Sequence, residues 1–456
     1  MRTRLACMWG LRFVTMLACV MACGGDNDPG RGQDWRFITD EEGRALVLHG
    51  TGVSNSAKAH GHPWVTREHV LAMSKEWGFN FVRYLIFWIK VEPQPGTYDE
   101  KYLDEVKERL DWFAEAGIHV VLDMHQDLWG PSLNCLKGEI YNGAPAWATI
   151  TDGLERKTYC EDIHWAAGYL SPDVTRAFEN FFEHDGDHPE LQDRYAAMWA
   201  HVAERFKDHP AVLGYDLMNE PWYHAELEDA AVDRTHMHAF IHRMIGAIRA
   251  VDSDSWILFE PRAWGPNQGY PSFIPPLKDP RKGAPRLGYI PHIYLFDKAD
   301  LPSWVESRRA EVEALKMPLV VGEWGLESDP VYARSLLGHL DDMMAGWAQY
   351  AYEGPFSPDE LDAMVRVFPQ RIAGRPLGWK YDPGSRVFTL DFETKAGVTG
   401  PTEIYIPAAR RYPSGWTLSV SDPDGAWSSE WDEGREILRV FTDRAQARHT
   451  VTITPK

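Results

Sequence analysis

The sequence predicts an α/β protein: a (β/α)8 TIM barrel followed by a small C-terminal antiparallel β-sandwich. Three observations carry that expectation. Up to about residue 354, short near-continuous apolar runs alternate with helical stretches, as in parallel strands covered on both faces. After about residue 370 the hydrophobic period falls to two, and the runs are separated by Pro, Gly and Asp. The length of 456 residues exceeds one modest domain and suits a large one joined to a small one.

Residues 1–22 are read as an export signal rather than as fold. Arg2, Arg4 and Arg12 precede the apolar run "FVTMLACVMA" (13–22), which is far short of the ~20 residues of a membrane span. The run ends in "VMAC" (20–23), which resembles a bacterial lipobox with Cys23 as the lipidated residue. Residues 23–34 then form a polar, Gly-rich tether. The expected location is the bacterial cell envelope as a lipoprotein, or a secreted form if cleavage simply follows Ala22. Membrane contact is expected through the N-terminal lipid anchor only.

The barrel is assigned to residues 35–370. Its expected strands are "ALVLHG" (45–50), "NFVRYLIFW" (80–88), "HVVLDMHQ" (119–126) and "VLGYDLMN" (212–219), then "WILFE" (256–260), "LGYIPHIY" (287–294), "LVVGEWG" (319–325) and "GWAQYAYEG" (346–354). Between the second and third lies "DEKYLDEVKERLDWFAEAG" (99–117), where Leu103, Val106, Leu110 and Phe113 make one helical stripe and Gly117 closes the helix. A doubly wound open sheet is the competing architecture, but no Gly-rich phosphate fingerprint follows the first strand.

One large insertion, roughly 128–190, separates the third and fourth strands and carries "AFENFF" (177–182). Insertions on that face of a barrel build substrate walls, whereas a buried helix face is the plainer reading of "AFENFF". Cys135 and Cys160 lie in the same insertion. In an exported chain they are expected to form a disulfide, with two buried free thiols as the alternative. Residues 371–456 are assigned to the sandwich, with strands at 386–394, 402–408, 416–422, 435–443 and 449–455.

Composition limits the partners. Forty-seven Lys and Arg against 67 Asp and Glu give a formal charge of −20, which argues against nucleic acid. The 20 Trp, 18 Tyr and 19 Phe suit a large core and equally suit sugar or lipid contacts. Nothing in the sequence marks an oligomer interface.

The chemistry is expected at the strand ends. "VLGYDLMN" runs into Glu220 and Pro221, and "LVVGEWG" ends at Glu323. Both carboxylates then stand at the C-terminal mouth of the barrel, where active sites of this fold lie. Two facing carboxylates are what glycoside hydrolysis needs: one protonates the leaving oxygen while the other attacks the anomeric carbon. Asn219 is placed to bond a sugar hydroxyl. Arg83, His125, Asp127, His292 and Tyr294 occupy other strand ends and are expected to bind substrate, with Arg83 and Tyr294 also positioned to bind Glu323. Glu260, in "LFEP", is a rival carboxylate that lacks the preceding amide.

"MNEP" (218–221), "HIY" (292–294) and "GEWG" (322–325), with Arg83 and His125, resemble family 5 of the clan A glycoside hydrolases, the cellulase-like retaining enzymes. "GVSNSAKAHG" (52–61), "DMHQDLWG" (123–130), "AFENFF" and the terminal sandwich bring the resemblance closer to the endoglycoceramidases. It implies Glu220 as acid/base and Glu323 as nucleophile, with Lys58, His125, Asp127, Asn219 and Tyr294 binding sugar or supporting the site. It also implies an aromatic platform on the eighth strand, at Trp347 or Tyr350. The implied reaction cleaves oligosaccharide from ceramide in a glycolipid, with no cofactor and no metal. The nearest alternative is the same chemistry on another β-glucoside or glucan. A metal-dependent hydrolase using His125, Asp127 and His292, and a non-catalytic sugar-binding lipoprotein, are the readings from other classes.

Overall fold

The computed structural model describes residues 35–223, 230–325 and 329–456. The expected signal and tether, including Cys23, lie outside the described residues. Strand β1 (Ala45–Leu46) is a two-residue element and β2 (His49–Val53) is the first strand of the barrel. The barrel continues through β3 (Phe81–Ile86), β4 (His119–Met124), β5 (Val212–Asp216) and β6 (Trp256–Phe259). It ends with β7 (Leu287–Tyr289), β8 (Val320–Val321) and β9 (Gly346–Gln349). All eight, β2 to β9, are parallel, in the order β7-β6-β5-β4-β3-β2-β9-β8. The parallel bridges Tyr289–Leu319 and Ile293–Trp324 join β7 to the segment around β8 and close the circle.

The single apolar run "ALVLHG" proves to be two elements. Ala45 and Leu46 pair antiparallel with Ile372 and Arg371 of β10 (Phe368–Ile372), outside the barrel. The barrel strand starts at His49 and contains Gly50, where a Cβ would stand 1.7 Å from the carbonyl oxygen of Phe81 on β3. Only glycine allows that approach. A hydrophobic pattern does not show where a strand changes sheets, so the run reads as one piece.

Inside the barrel a period of two sorts the layers. Phe81, Val121, Leu258, Ile290, Val320 and Ala348 belong to one buried apolar cluster. Two residues further along their strands come Arg83, Asp123, Glu260, His292, Gly322 and Tyr350, the polar layer toward the mouth. The helices cover the outside. Helix Glu100–Ala116 starts at Asp99, whose side chain accepts from the Tyr102 amide, and stops at Gly117 with φ of 69°. Its Leu103, Val106, Leu110 and Phe113 are fully buried, as the stripe predicts.

In the insertion, helix Pro172–Phe182 turns Phe178, Phe181 and Phe182 into the core, where Phe181 meets Trp129, Tyr195 and Phe240. "AFENFF" is therefore a packing face and builds no wall of an open site.

The C-terminal region forms two sheets. One has the order β1-β10-β13-β16-β15, with β13 (Thr402–Tyr405), β15 (Ser428–Asp432) and β16 (Ile437–Phe441). The other has the order β11-β12-β17-β14, with β11 (Arg375–Tyr381), β12 (Phe388–Glu393), β14 (Trp416–Val420) and β17 (Arg448–Pro455). Strands β10, β11 and β15 were not anticipated. β10 has no alternation because it is buried on both sides: Phe368 stacks on His49, 4.0 Å between rings, and Gln370 donates to the Gly78 carbonyl. β15 is an exposed edge strand, "SSEWD", with little apolar signal. A boundary drawn at residue 370 thus falls inside β10.

Candidate active site

Arg83 is the hub of the polar layer. It is wholly buried, and its guanidinium reaches Asp216 at 2.9 Å, Glu260 at 2.8 Å, Glu323 at 2.6 Å and Asp123 at 3.0 Å. It also donates to Asn219 Oδ1 at 2.9 Å. Its planar fork of donors suits several fixed acceptors at once. Burial opposes its charge, but the surrounding carboxylates outweigh that and hold it protonated. Asp216 answers in the opposite direction: burial and the neighbouring Glu260 push its pKa well above the usual carboxylate range, against the pull of Arg83.

Glu323, on the far end of β8, accepts from Arg83 Nη1 on one oxygen and from the Tyr294 hydroxyl, 2.9 Å away, on the other. Glu220 sits on a strained turn after β5, with φ of +42° at a residue other than glycine. Such a conformation costs on the order of 1–3 kcal/mol unless its surroundings over-determine it. They do so here. The Glu220 amide donates to Glu260, 3.0 Å away, while Gln126 Nε2 donates to the carbonyls of Asn219 and Glu220 at 2.8 and 3.0 Å. The Ala263 amide donates to the Pro221 carbonyl, fixing the exit of the turn.

The Glu220 carboxylate accepts from Asn267 Nδ2 at 2.8 Å and lies 3.0 Å from His292 Nδ1. Burial raises its pKa first of all, with Glu323 and Glu260 adding to this and His292 opposing it. His292 is fully buried between carboxylates, with Nε2 3.2 Å from Glu260. Burial disfavours its charge, yet Glu260 and Glu323 outweigh burial and raise its pKa well above an ordinary histidine. One oxygen of Glu220, one of Glu323 and a ring nitrogen of His292 lie within 4.8 Å of one another.

A cleft of about 740 Å³ opens over these groups. A linked polar set lines part of it. Lys58 Nζ donates to Asp127 at 2.6 Å and stands 5.5 Å from the centre of the Tyr350 ring, and the Tyr350 hydroxyl donates to Asn55 Oδ1 at 2.6 Å. His125 has Nδ1 2.7 Å from Asp123 and lies parallel to Tyr350 at 6.3 Å. Burial would raise the Asp127 pKa, but Lys58 and His125 outweigh it and hold the carboxylate well below its usual range. The same cleft is lined by apolar groups from three loops: Ile163 and Trp165, Ala263 and Trp264, Leu295 and Phe296. Ile163 and Phe296 are 72% and 82% exposed. A second cleft, of about 780 Å³, lies at the opposite end of the barrel around His119, Val212 and Trp256 and holds none of the strand-end glutamates.

The structure thus gathers Glu220, Glu323, Asn219, Lys58, His125, Asp127, Tyr294 and Tyr350 on one cleft. Three expected substrate contacts do not reach it. Arg83 and His292 are buried beneath the carboxylates and position them. Trp347 is fully buried and packs on His49 and Trp324, because alternation along β9 turns it and Gln349 to the face away from Ala348 and Tyr350. Nor do His125, Asp127 and His292 converge as a metal set would: Asp127 is held by Lys58 with His125 3.5 Å away, while His292 lies on Glu220 and Glu260. Cys135 and Cys160 are joined by a disulfide.

Several contributors escaped the sequence reading. Asn267 and Asn142 come from loops with no periodic signal, and Asn142 reaches Asp127 at 2.8 Å. Asp123 and Asp216 carried a signal, since each stands in a strand at the period of the inward layer.

A parallel barrel with paired, unequally stabilised glutamates at its mouth defines a carbohydrate-active hydrolase of the two-carboxylate kind. Comparison with known proteins agrees with this. Residues 40–354 match the model for cellulase (glycosyl hydrolase family 5), and residues 366–454 match the glycoside hydrolase family 5 C-terminal domain. The chain belongs to glycosyl hydrolase family 5 and is an O-glycoside hydrolase. It is 28% identical over 452 residues to endoglycoceramidase I of Rhodococcus hoagii, covering 90% of this chain and 85% of that one. The endo-glycoceramidase II of a Rhodococcus species, solved as a lactosyl-enzyme intermediate, superposes with a TM-score of 0.84 at 36% identity. That match covers 92% of this chain and 99% of the other. The same enzyme solved as a ganglioside GM3 complex matches with a TM-score of 0.84 at 35% identity over the same shares.

Proposed function

We propose that this protein is a retaining endo-β-glycosidase that releases intact oligosaccharide from ceramide in glycosphingolipids. Glu323 attacks the anomeric carbon while Glu220 gives its proton to the departing ceramide oxygen. In the second step Glu220 takes a proton from water, which attacks the glycosyl–Glu323 ester and restores both groups. The observation that carries this reading is that an oxygen of Glu220 and an oxygen of Glu323 lie within 4.8 Å of each other, in keeping with the ~5–5.5 Å spacing of retaining enzymes. The lactosyl-enzyme and GM3 complexes of a relative sharing more than a third of its sequence support the ester intermediate and the lipid substrate. The apolar residues lining the cleft beside the polar set fit a leaving group with a lipid body.

The test is a detergent-dispersed digest of gangliosides and glucosylceramide, with both products followed by mass spectrometry. Free ceramide and intact oligosaccharide are expected from the wild type. Glu220→Gln should lower ceramide release by about 10³-fold, within the usual range for a lost general acid. Because Glu220 must be protonated in the first step, wild-type kcat/KM should fall as pH rises through its raised pKa. On an aryl glycoside whose leaving group needs no proton, that alkaline limb should vanish in Glu220→Gln. A limb that persists there would belong to another group.

The N-terminal reading is proposed alongside. Lipidation at Cys23 would hold the enzyme at the envelope through the tether of residues 23–34, and the "VMAC" motif supports it. In a host that processes lipoproteins, Cys23→Ser is expected to move the protein from the membrane fraction to the soluble one. Unchanged fractionation would remove the anchor.

A further inference from the structure

The disulfide and the wall beside it have no part in the chemistry above. Leu136 and Glu139 follow Cys135 closely, and Ile163, His164 and Trp165 follow Cys160; all five line the cleft. From Asp152 to His164 every residue is exposed except Cys160. Three of them, Leu154, Tyr159 and Ile163, are large apolar side chains facing solvent. Beyond its own turns this run is tied by few bonds, among them the Lys157 amide to Ser171 Oγ at 2.9 Å and Arg156 to the Asn134 carbonyl at 3.4 Å. A surface run with so little buried area frays unless something covalent holds it.

Where Cys160 turns inward it meets a prepared seat. A Cβ on Gly168 would stand 2.4 Å from Cys160 Sγ and 3.0 Å from Leu128 Cδ1, so the absence of a side chain there makes room for the bridge. Leu128 is fully buried and follows Asp127 directly. The sulfur bridge therefore ties the exposed run to Cys135, in the insertion that follows Asp127 and Leu128.

We propose that the Cys135–Cys160 bond is a strap that positions the Ile163–Trp165 wall of the cleft and so sets the enzyme's preference for a long apolar leaving group. This rests on the reading of the cleft as a glycolipid site. The residues it positions touch the leaving group and not the reacting carbon, so the strap acts on specificity and leaves bond cleavage alone.

The test compares methyl and decyl β-lactosides, below micellar concentrations, whose leaving oxygens are chemically alike. In Cys135→Ser/Cys160→Ser the decyl-to-methyl ratio of kcat/KM should fall about tenfold, what roughly two methylenes returned to water would cost. The methyl substrate should change by no more than about twofold. Gly168→Ala, which keeps both cysteines but crowds the seat, should shift the ratio the same way and serves if the double variant fails to fold. Trypsin should also cut after Arg156 or Lys157 faster once the bridge is gone. An unchanged ratio, an equal loss on both substrates, or an unaltered tryptic rate would overturn the strap. If the wild type cleaves the lactosides but frees no ceramide, the ceramide reading fails while the ratio still decides the strap.

Discussion

Glu323→Gln is expected to reduce kcat by about 10⁵-fold or more, the scale on which removal of a covalent nucleophile acts. The amide keeps the volume of the carboxylate, and its oxygen can still accept from the Tyr294 hydroxyl or from Arg83, which bond Glu323 in the wild type. Binding of the released oligosaccharide should therefore stay within about tenfold, because only an interaction realised in the transition state is lost. Kinetics on an aryl β-lactoside together with calorimetry on the free glycan separate the two quantities. A variant with near-normal turnover would take the nucleophile role from Glu323. Loss of turnover and glycan binding together would mean that the carboxylate holds substrate in the ground state.

The second large effect is expected at Arg83. Arg83→Met removes the guanidinium that Asp123, Asp216, Glu260 and Glu323 share in the interior. Breaking such a cluster from one side costs about 3–5 kcal/mol, so the denaturant midpoint should fall sharply. Arg83→Lys keeps the charge but offers three donors on one nitrogen, too few and too compact for the carboxylates and Asn219 together. That variant should fold, with kcat reduced by about 10²–10³-fold and KM nearly unchanged, since Arg83 does not reach the cleft. A lysine variant with wild-type kcat would show that the fork does not position Glu323.

Arg83 belongs to a layer that alternation constructs, and Glu323 lies one residue beyond Gly322 of the same layer. Arg83, Asp123, Glu260, His292 and Tyr350 each stand two residues beyond a member of the apolar barrel cluster. One turn of the strand ladder converts an oily plug into a polar floor. The floor is costly to bury, and it is tolerated because each charge meets an opposite one or a hydrogen bond. Its yield is asymmetry: Glu220 is raised by burial and its carboxylate neighbours, while Glu323 faces a guanidinium. In the mechanism proposed above, Glu220 is the group that gives the proton and Glu323 the one that attacks.

The parts legible in the sequence were those set by local pattern. Apolar runs alternating with a 3.6-residue stripe require parallel strands under helices, and a carboxylate ending such a run must emerge at the barrel mouth. That rule places Glu220 and Glu323 at the mouth together with Glu260, which lacks the preceding amide, and the expected bond between Arg83 and Glu323 is present. What escaped depended on register and on distant loops. Period two along β9 turns Tyr350 into the cleft and Trp347 away from it, but the phase is set by pairing with β2, through His49 against Trp347. "AFENFF" reads the same whether its phenylalanines face solvent or a core, and only the packing of Phe181 against Trp129 and Tyr195 decides. Ala45 and Leu46 read as barrel until β10 claims them. The architecture and the placing of both glutamates at the barrel mouth were legible in the chain because both rest on periodicity, which is a local property. The tertiary structure alone decided which polar residues touch the cleft and which lie beneath it. Burial is shared between segments hundreds of residues apart, and no segment carries it in its own pattern.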